Sequence, residues 1–280
     1  MLGDPIAHSL SPVLHRAGYA ELGLDWTYDV HRVPAGGLAA FLEGLDEEWR
    51  GLSVTMPLKR EALVLADRLT ERARLAGAVN TLVLDGTERV GDNTDLPGAA
   101  AAIRERTSMP LASAVVLGGG ATATSVGLAL VDLGVTSVRV AVRDASRATE
   151  TVDLLRSHPA APAVSVEPLA DGQWSDGPDL RARDSTVDIV VSTIPASAQT
   201  PALVDRWREV PVVFEALYDP WPTPLAASAL DGSGDRVVVG GLDLLVHQAA
   251  LQFELFTGLA APLAAMREAG ERALAQQNPA

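Results

Sequence analysis

The 280-residue sequence has no cysteine, a single lysine, three asparagines and only 4% aromatic residues. Without cysteine there are no disulfides, no thiolate nucleophile and no cysteine-ligated metal. The five histidines (His8, His15, His31, His158 and His247) are scattered, with no close pair at metal-ligand spacing, so no metal site is expected. No apolar run approaches the 20 residues a membrane helix needs. No basic stretch followed by an apolar run opens the chain, so no secretory signal is expected and a cytoplasmic location is. Positive charge is also short: 22 basic against 36 acidic residues give a net charge of −14, and no basic run interrupts it. Such a surface repels phosphate backbones, which argues against nucleic acid as a partner. An anionic ligand must therefore be held by local dipoles or by a few placed arginines.

The shortage of lysine is the more telling one. Lys59 stands alone against 21 arginines, in the run Ser53-Val54-Thr55-Met56-Pro57-Leu58-Lys59. Arginine serves wherever only a positive charge is wanted, and it does not give up a proton near neutral pH. An ammonium can, once its surroundings shift it. Lys59 is therefore a candidate proton-transfer group, set against the plainer alternative of a lysine left on a solvated helix face.

Almost half of the residues are hydrophobic and 21% are charged, enough for a sizeable core. Residues 1–98 alternate between helical and extended patterns. Helices are expected over Pro12–Leu22 and Leu38–Leu45, and extended chain over Trp26–Val33. Gly51–Thr55 reads as a strand, Pro57 as the first turn of a helix carrying Lys59 near its start, and Thr81–Leu84 and Glu88–Gly91 as strands. This alternation implies a mostly parallel sheet covered by helices. An alanine-rich helix over Leu96–Arg106 leads to Ser108-Met109-Pro110, read as a hinge. The pattern then restarts, with strands at Ala112–Leu117, Ser137–Val142, Val187–Ser192 and Val210–Glu215 and helices at Ala121–Leu133 and Ala145–Ser157. The stretch from Pro159 to Asp184 is rich in Pro, Gly and Asp, with a strand-like piece at Val164–Val166. Two C-terminal helices follow. In the first, Leu242, Leu245, Val246, Ala249, Phe253 and Phe256 form one apolar stripe with Gln248 at its edge.

The strand Val115-Val116-Leu117 runs into Gly118-Gly119-Gly120-Ala121-Thr122-Ala123. Gly118, Gly120 and Ala123 fit the pattern G-x-G-x-x-A: a tight turn, a close backbone approach to a pyrophosphate, and a small residue where the helix meets the strand. The helix N-terminus offers N–H groups to an anion without net protein charge. The next strand ends at Val142, followed by Arg143-Asp144. An acid there reads the ribose hydroxyl of NAD, and a cation there reads the 2′-phosphate of NADP. Arg143, with Arg147 one turn on, favours NADP. Asp144 has a second available role as a helix cap.

Gly3-Asp4-Pro5-Ile6-Ala7-His8-Ser9-Leu10-Ser11-Pro12, the Thr55–Lys59 segment, Gly77-Ala78-Val79-Asn80-Thr81, Asp92-Asn93-Thr94-Asp95, Tyr218-Asp219-Pro220-Trp221-Pro222-Thr223-Pro224 and Gln248-Ala249 together resemble the shikimate dehydrogenase family, in order and across nearly the whole chain. The resemblance implies an α/β protein of two domains, with an N-terminal substrate domain of mostly parallel sheet and a Rossmann-type NADP-binding domain. The expected boundaries are 1–100, 101–240, and 241–280 for C-terminal helices packing back on the substrate domain. It implies NADPH-dependent reduction of 3-dehydroshikimate to shikimate, on the route to aromatic amino acids, by a monomer or homodimer whose partners are small molecules.

By the same resemblance, Lys59 and Asp95 form the catalytic pair, and Ser9, Ser11 and Tyr218 hold the substrate carboxylate. Thr55, Asn80 and Gln248 bond the ring hydroxyls. Gly118, Gly119, Gly120, Ala121, Thr122, Ala123, Arg143, Arg147 and Gly241 receive the cofactor. The scarcity of asparagine supports placed roles, since two of three (Asn80, Asn93 and Asn278) fall inside these motifs. The chain departs from the family in four places. Only Met1 and Leu2 precede Gly3, implying either a late start or a short first strand. Arg16 and Ser53 stand at frequent asparagines, and Leu96-Pro97 replaces a small residue. His8 and His15 read as structural. The alternatives are an NAD-using quinate/shikimate dehydrogenase, a related enzyme acting on another small acid, and a non-catalytic sensor of nucleotide and small acid.

Overall fold

A computed structural model describes residues 1–86, 88–169, 184–231 and 235–277; most of the Pro-, Gly- and Asp-rich stretch and Asn278 lie outside them. The chain divides into two compact units, Met1–Gly98 with Leu245–Ala280, and Ala99–Leu244. The Ser108–Pro110 segment read as a hinge lies inside the second unit.

The first unit holds β1 (Leu2–Gly3), α1 (Ser11–Glu21), β2 (His31–Arg32), α2 (Leu38–Glu43), β3 (Gly51–Ser53), α3 (Lys59–Leu65), β4 (Arg68–Leu69), α4 (Glu71–Ala76), β5 (Thr81–Asp85) and β6 (Glu88–Asp92). Pro12 in the first turn of α1 costs no hydrogen bond, because N–H groups there have no helical acceptor. Thr70 caps α4 by accepting from the Ala73 N–H, and Gly77 closes it in the left-handed conformation at φ 59°. β1 pairs with β2 in parallel, and Leu2 bridges to Val54. A four-stranded sheet in the order β3-β5-β6-β4 pairs β4 with β6 in parallel, but β3–β5 and β5–β6 antiparallel. β5 and β6 pair antiparallel along their length, from Thr81 opposite Asp92 to Asp85 opposite Glu88, and here the sheet departs from the parallel expectation. Trp26–Val33 pairs as a strand only at His31–Arg32. Pro57 is not inside α3: the helix begins at Lys59, because the Leu58 N–H is already turned back to the Thr55 carbonyl at 2.8 Å. Leu2, Leu38, Leu52, Leu58 and Leu82 are all fully buried in one cluster under this sheet.

The second unit begins within α5 (Asp95–Arg106), which the chain leaves to form β7 (Ser113–Leu117), α6 (Ala121–Asp132), β8 (Ser137–Val142), α7 (Thr149–Arg156) and β9 (Ala163–Pro168). β10 (Ile189–Ser192), α8 (Pro201–Arg206), β11 (Val212–Glu215), α9 (Pro224–Leu230) and β12 (Val237–Val239) follow. The helix expected over Ala145–Ser157 starts with a tighter turn at Ala145–Ala148. All five pairings in the sheet are parallel, in the order β12-β11-β10-β7-β8-β9, the doubly wound order of dinucleotide-binding domains. Such strands are buried on both faces, which explains the unbroken apolar runs Ala114–Leu117 and Ile189–Val191. Beneath them Trp207, fully buried, lies under the Arg206 guanidinium at 4.3 Å. Asp184 receives Arg139 at 2.8 Å and Arg206 at 2.6 Å. Burial opposes its ionisation, but the hydrogen bonds from the two arginines outweigh burial and hold its carboxyl below the ordinary value.

The chain then enters α10 (Gly241–Thr257) and α11 (Leu263–Gln277), and the first unit resumes at Leu245.

Candidate active site

In the first unit, Lys59 opens α3 and Asp95 opens α5. Lys59 Nζ lies 2.6 Å from Asp95 Oδ2, with the two side chains 13% and 9% exposed. A carboxylate is well placed at a helix N-terminus, where the dipole favours negative charge; an ammonium there is not, and Asp95 offsets that. Asn80 supports the carboxylate from its other side. Its Nδ2 donates to Asp95 Oδ1 at 2.8 Å, to Thr94 Oγ1 at 2.9 Å and, more weakly, to Gln248 Oε1 at 3.4 Å. Its Oδ1 accepts from the Thr94 N–H and from Thr81 Oγ1, both at 2.8 Å.

The loops that carry these groups are stitched together. Asn93 Nδ2 donates to the Ala78 carbonyl at 3.0 Å, and its Oδ1 accepts from the Leu96 N–H at 3.1 Å, capping α5. Asp92 accepts from Thr70 and from both arms of Arg72. Burial raises its pKa, yet the Arg72 and Thr70 bonds outweigh burial and hold it below the usual carboxylate range. Gln248 is 7% exposed, and its Nε2 donates to the Leu245 carbonyl at 3.0 Å. A Cβ at Gly98 would lie 2.9 Å from the Gln248 N, so α5 and α10 approach closely only because that residue is glycine.

The structure thus brings Lys59, Asp95, Asn80 and Gln248 together. Ser9, Ser11 and Thr55 are joined to that cluster by no hydrogen bond among the described residues. Ser11 is buried at the start of α1, and its N–H donates to Ser9 Oγ at 3.2 Å. Thr55 is half-buried, with its N–H on the Leu2 carbonyl at 2.9 Å. Arg16 donates to the Tyr28 carbonyl at 2.7 Å and faces Asp29 at 3.6 Å, so its charge is held on the 28–29 segment. His15 is fully buried and stacks on Tyr28 with ring centroids 4.2 Å apart. Burial pushes its pKa down to about 3, keeping the ring neutral.

Sequence reasoning missed Thr94, Thr81 and Gln252. Gln252 lies one helical turn beyond Gln248 and is 2% exposed. That i, i+4 spacing of two glutamines was the available signal.

In the second unit, the glycine loop follows β7. Gly118 has φ +117°, and a Cβ there would lie 2.3 Å from Thr193 Oγ1, so only glycine fits. A Cβ at Gly119 would come within 2.9 Å of the Arg147 carbonyl, whereas at Gly120 it would meet nothing within 4 Å. Gly120 therefore leaves open space at the start of α6. It caps the helix with no side chain, so the N–H groups of Ala121, Thr122 and Ala123 have no helical acceptor. Ala123 itself is buried, as a close helix–strand contact requires. Thr151 Oγ1 donates to the Gly119 carbonyl at 3.0 Å and fixes the loop.

After β8, Arg143, Asp144 and Arg147 are all exposed. Asp144 accepts from the Ser146 hydroxyl at 2.7 Å and N–H at 2.9 Å, and these bonds hold its pKa below the ordinary value. It therefore caps the next turn, which leaves the two guanidiniums as the groups presented to an anion. These features suit a dinucleotide phosphate chain: an open helix N-terminus, a side-chain-free approach and two cations at the next strand end. Gly241 meets a different demand, since a Cβ there would lie 2.5 Å from the Leu217 carbonyl group. Tyr218 follows, half-buried, on the loop after β11. That loop springs from Glu215, a fully buried carboxyl that accepts from Gln199 at 2.7 Å, Thr223 at 2.8 Å and the Leu217 N–H at 3.1 Å. Burial raises its pKa against those bonds. No group of metal-ligating side chains occurs among the described residues, and no helix among them is long and apolar enough to cross a membrane.

Comparison with known proteins agrees with this geometry. The family model described as the shikimate dehydrogenase substrate binding domain matches residues 1–82, and the shikimate 5′-dehydrogenase C-terminal domain matches residues 241–269. The chain is 34% identical to a shikimate dehydrogenase (NADP(+)) of Methanopyrus kandleri, covering 96% of this chain and 93% of that one. It superposes on the crystal structure of Mycobacterium tuberculosis shikimate dehydrogenase with TM-score 0.84 and 42% identity, over 98% and 97% of the two chains. It superposes on a Thermus thermophilus shikimate 5-dehydrogenase in complex with NADP(H) and shikimate with TM-score 0.81 and 29% identity, over 97% of each.

Proposed function

Since the chain belongs to the shikimate dehydrogenase family, we propose that it reduces 3-dehydroshikimate to shikimate, reversibly, with NADPH. The observation that carries the reading is the Lys59–Asp95 pair at 2.6 Å, with Asn80 and Gln248 gathered beside it. NADPH, when bound, supplies the hydride that adds to the ring carbonyl carbon. Lys59 hydrogen-bonds and then protonates the oxygen on which negative charge develops. Asp95 holds the ammonium in place with one oxygen and accepts a substrate hydroxyl with the carboxylate's remaining capacity. Asn80 orients Asp95, and Gln248 and Thr55 bond the ring hydroxyls. Ser9, Ser11 and Tyr218 take the substrate carboxylate, on the strength of the family resemblance.

The first unit is the substrate domain and the second the NADP domain. The Gly118–Ala123 loop would hold the pyrophosphate, Arg143 and Arg147 would hold the 2′-phosphate, and Gly241 would complete the cofactor site. The capping role of Asp144 supports NADP over NAD, because a carboxylate already engaged by Ser146 is a poor partner for a ribose hydroxyl. A cytoplasmic location suits a biosynthetic enzyme of this kind.

Lys59→Ala tests the assignment. Removal of the proton donor is expected to lower kcat about 100-fold or more, with NADP binding by fluorescence titration unchanged. Wild-type turnover in that variant would remove Lys59 from the mechanism.

A further inference from the structure

We propose that Gln252 is a positioning residue for this reaction: it fixes the Asn80 amide and, through it, the Asp95 carboxylate. The inference rests on the assignment of Lys59 and Asp95 as the reacting pair.

Gln252 lies on α10 and is the middle of a buried chain of hydrogen bonds. Its Oε1 accepts from Ser53 Oγ at 2.7 Å, and Ser53 in turn accepts from the Tyr28 hydroxyl at 2.6 Å. Its Nε2 donates to Thr81 Oγ1 at 2.9 Å and to the Asn80 carbonyl at 3.0 Å. Thr81 Oγ1 donates to Asn80 Oδ1, and Asn80 Nδ2 donates to Asp95 Oδ1, each at 2.8 Å. Ser53, Thr81, Asn80 and Gln252 are all 4% exposed or less, so water does not compete for these groups.

The direction of donation is what matters. Tyr28 gives its proton to Ser53, so Ser53 has its own proton left for Gln252 Oε1. That settles which end of the Gln252 amide faces Thr81. Thr81, receiving from Nε2, turns its hydroxyl proton to Asn80 Oδ1. The Asn80 NH2 is then left facing Asp95. Reversing the Gln252 amide would set its carbonyl against Thr81, draw the hydroxyl proton away from Asn80, and leave Oδ1 to the Thr94 N–H at 2.8 Å and the more distant Thr94 hydroxyl at 3.2 Å. A buried polar chain of this kind stabilises little in net terms, but it selects one arrangement of amides among several. Ser53 and Gln252 are partners in this, a pairing made across 199 positions of sequence.

A purely structural Gln252 would be only a tie from α10 to Ser53 on β3 and to the Asn80 carbonyl beside β5. Thr81→Val separates the two roles, because it removes the relay hydroxyl and leaves that tie intact. The measurements are kcat and KM for shikimate oxidation with NADP in Thr81→Val, Gln252→Leu and the double variant, with thermal melts alongside. Loss of one orienting bond whose demand is greatest as charge develops is expected to lower kcat about tenfold in each single variant, with KM for NADP unchanged. The double variant is expected to be no slower than the slower single one, because both substitutions break one chain. A folded Thr81→Val with kcat within about twofold of wild type, or losses that multiply in the double variant, overturns the proposal. Should Gln252→Leu fail to fold, Thr81→Val decides alone. A wild-type protein silent toward shikimate overturns the functional reading and this inference with it, whereas an active wild type beside an unimpaired Thr81→Val overturns the inference only.

Discussion

Lys59 is legible in the sequence because every other cation is an arginine, and Asn80 because asparagine is nearly absent. Their neighbours are not legible in that way. Gln252 carries no such mark, and its proposed role depends on Thr81 and Ser53, which lie 171 and 199 positions away in the chain. Ser53 reads as a departure from the family until its partner is seen. Arg16, a departure of the same kind, is accounted for by its bond to the Tyr28 carbonyl. His15 shows how burial, reinforced by the charged N-terminus, sets a charge state. Its folded pKa is about 3 against an ordinary 6.5. Between those values the unfolded chain binds a proton that the native chain does not, so His15 costs stability as pH falls from 6.5 toward 3 and costs nothing above 6.5. His15→Phe keeps a ring against Tyr28 and removes the titration. Urea melts at about pH 7 and about pH 4 are expected to show a smaller loss in the variant than in wild type. Equal losses would mean that His15 is protonated in the native state.

At the scale of elements, the sequence pattern carries the second unit better than the first. β7, α6 and β8 lie within one residue of their expected bounds, because parallel strands buried on both faces leave unbroken apolar runs and the glycines mark where strand gives way to helix. The first unit is built from strands of two to five residues, too short for periodicity to speak, and β4 escaped notice for that reason. The hairpin of β5 and β6 was visible as two strands but not as antiparallel. The glycine loop supports a prediction of its own. Gly118→Ala places a Cβ 2.3 Å from Thr193 Oγ1 at a φ of +117°. Strain of about 1–3 kcal/mol is expected, with NADP affinity weakened by about tenfold or more as the loop shifts. Unchanged affinity by fluorescence titration would show that the loop does not hold the cofactor.

At the scale of the whole molecule, the net charge of −14 sets the terms on which a phosphorylated cofactor is bound. The overall field opposes an anion, so in the proposed cofactor site the attraction is assigned to the helix N-terminus at Ala121 and the exposed Arg143 and Arg147. The division into units falls inside helices, between Gly98 and Ala99 and between Leu244 and Leu245. A continuous helix has no linker composition, and the Met-Pro segment after α5 looks more like a boundary than the boundary itself. The central claim is that this chain oxidises and reduces one specific small acid with NADP. It is tested most directly by following absorbance at the nicotinamide band of purified protein given shikimate or quinate, each with NADP or NAD. Reduction confined to shikimate with NADP is the expected result, and turnover of quinate with NAD, or silence in all four mixtures from folded protein, would contradict it.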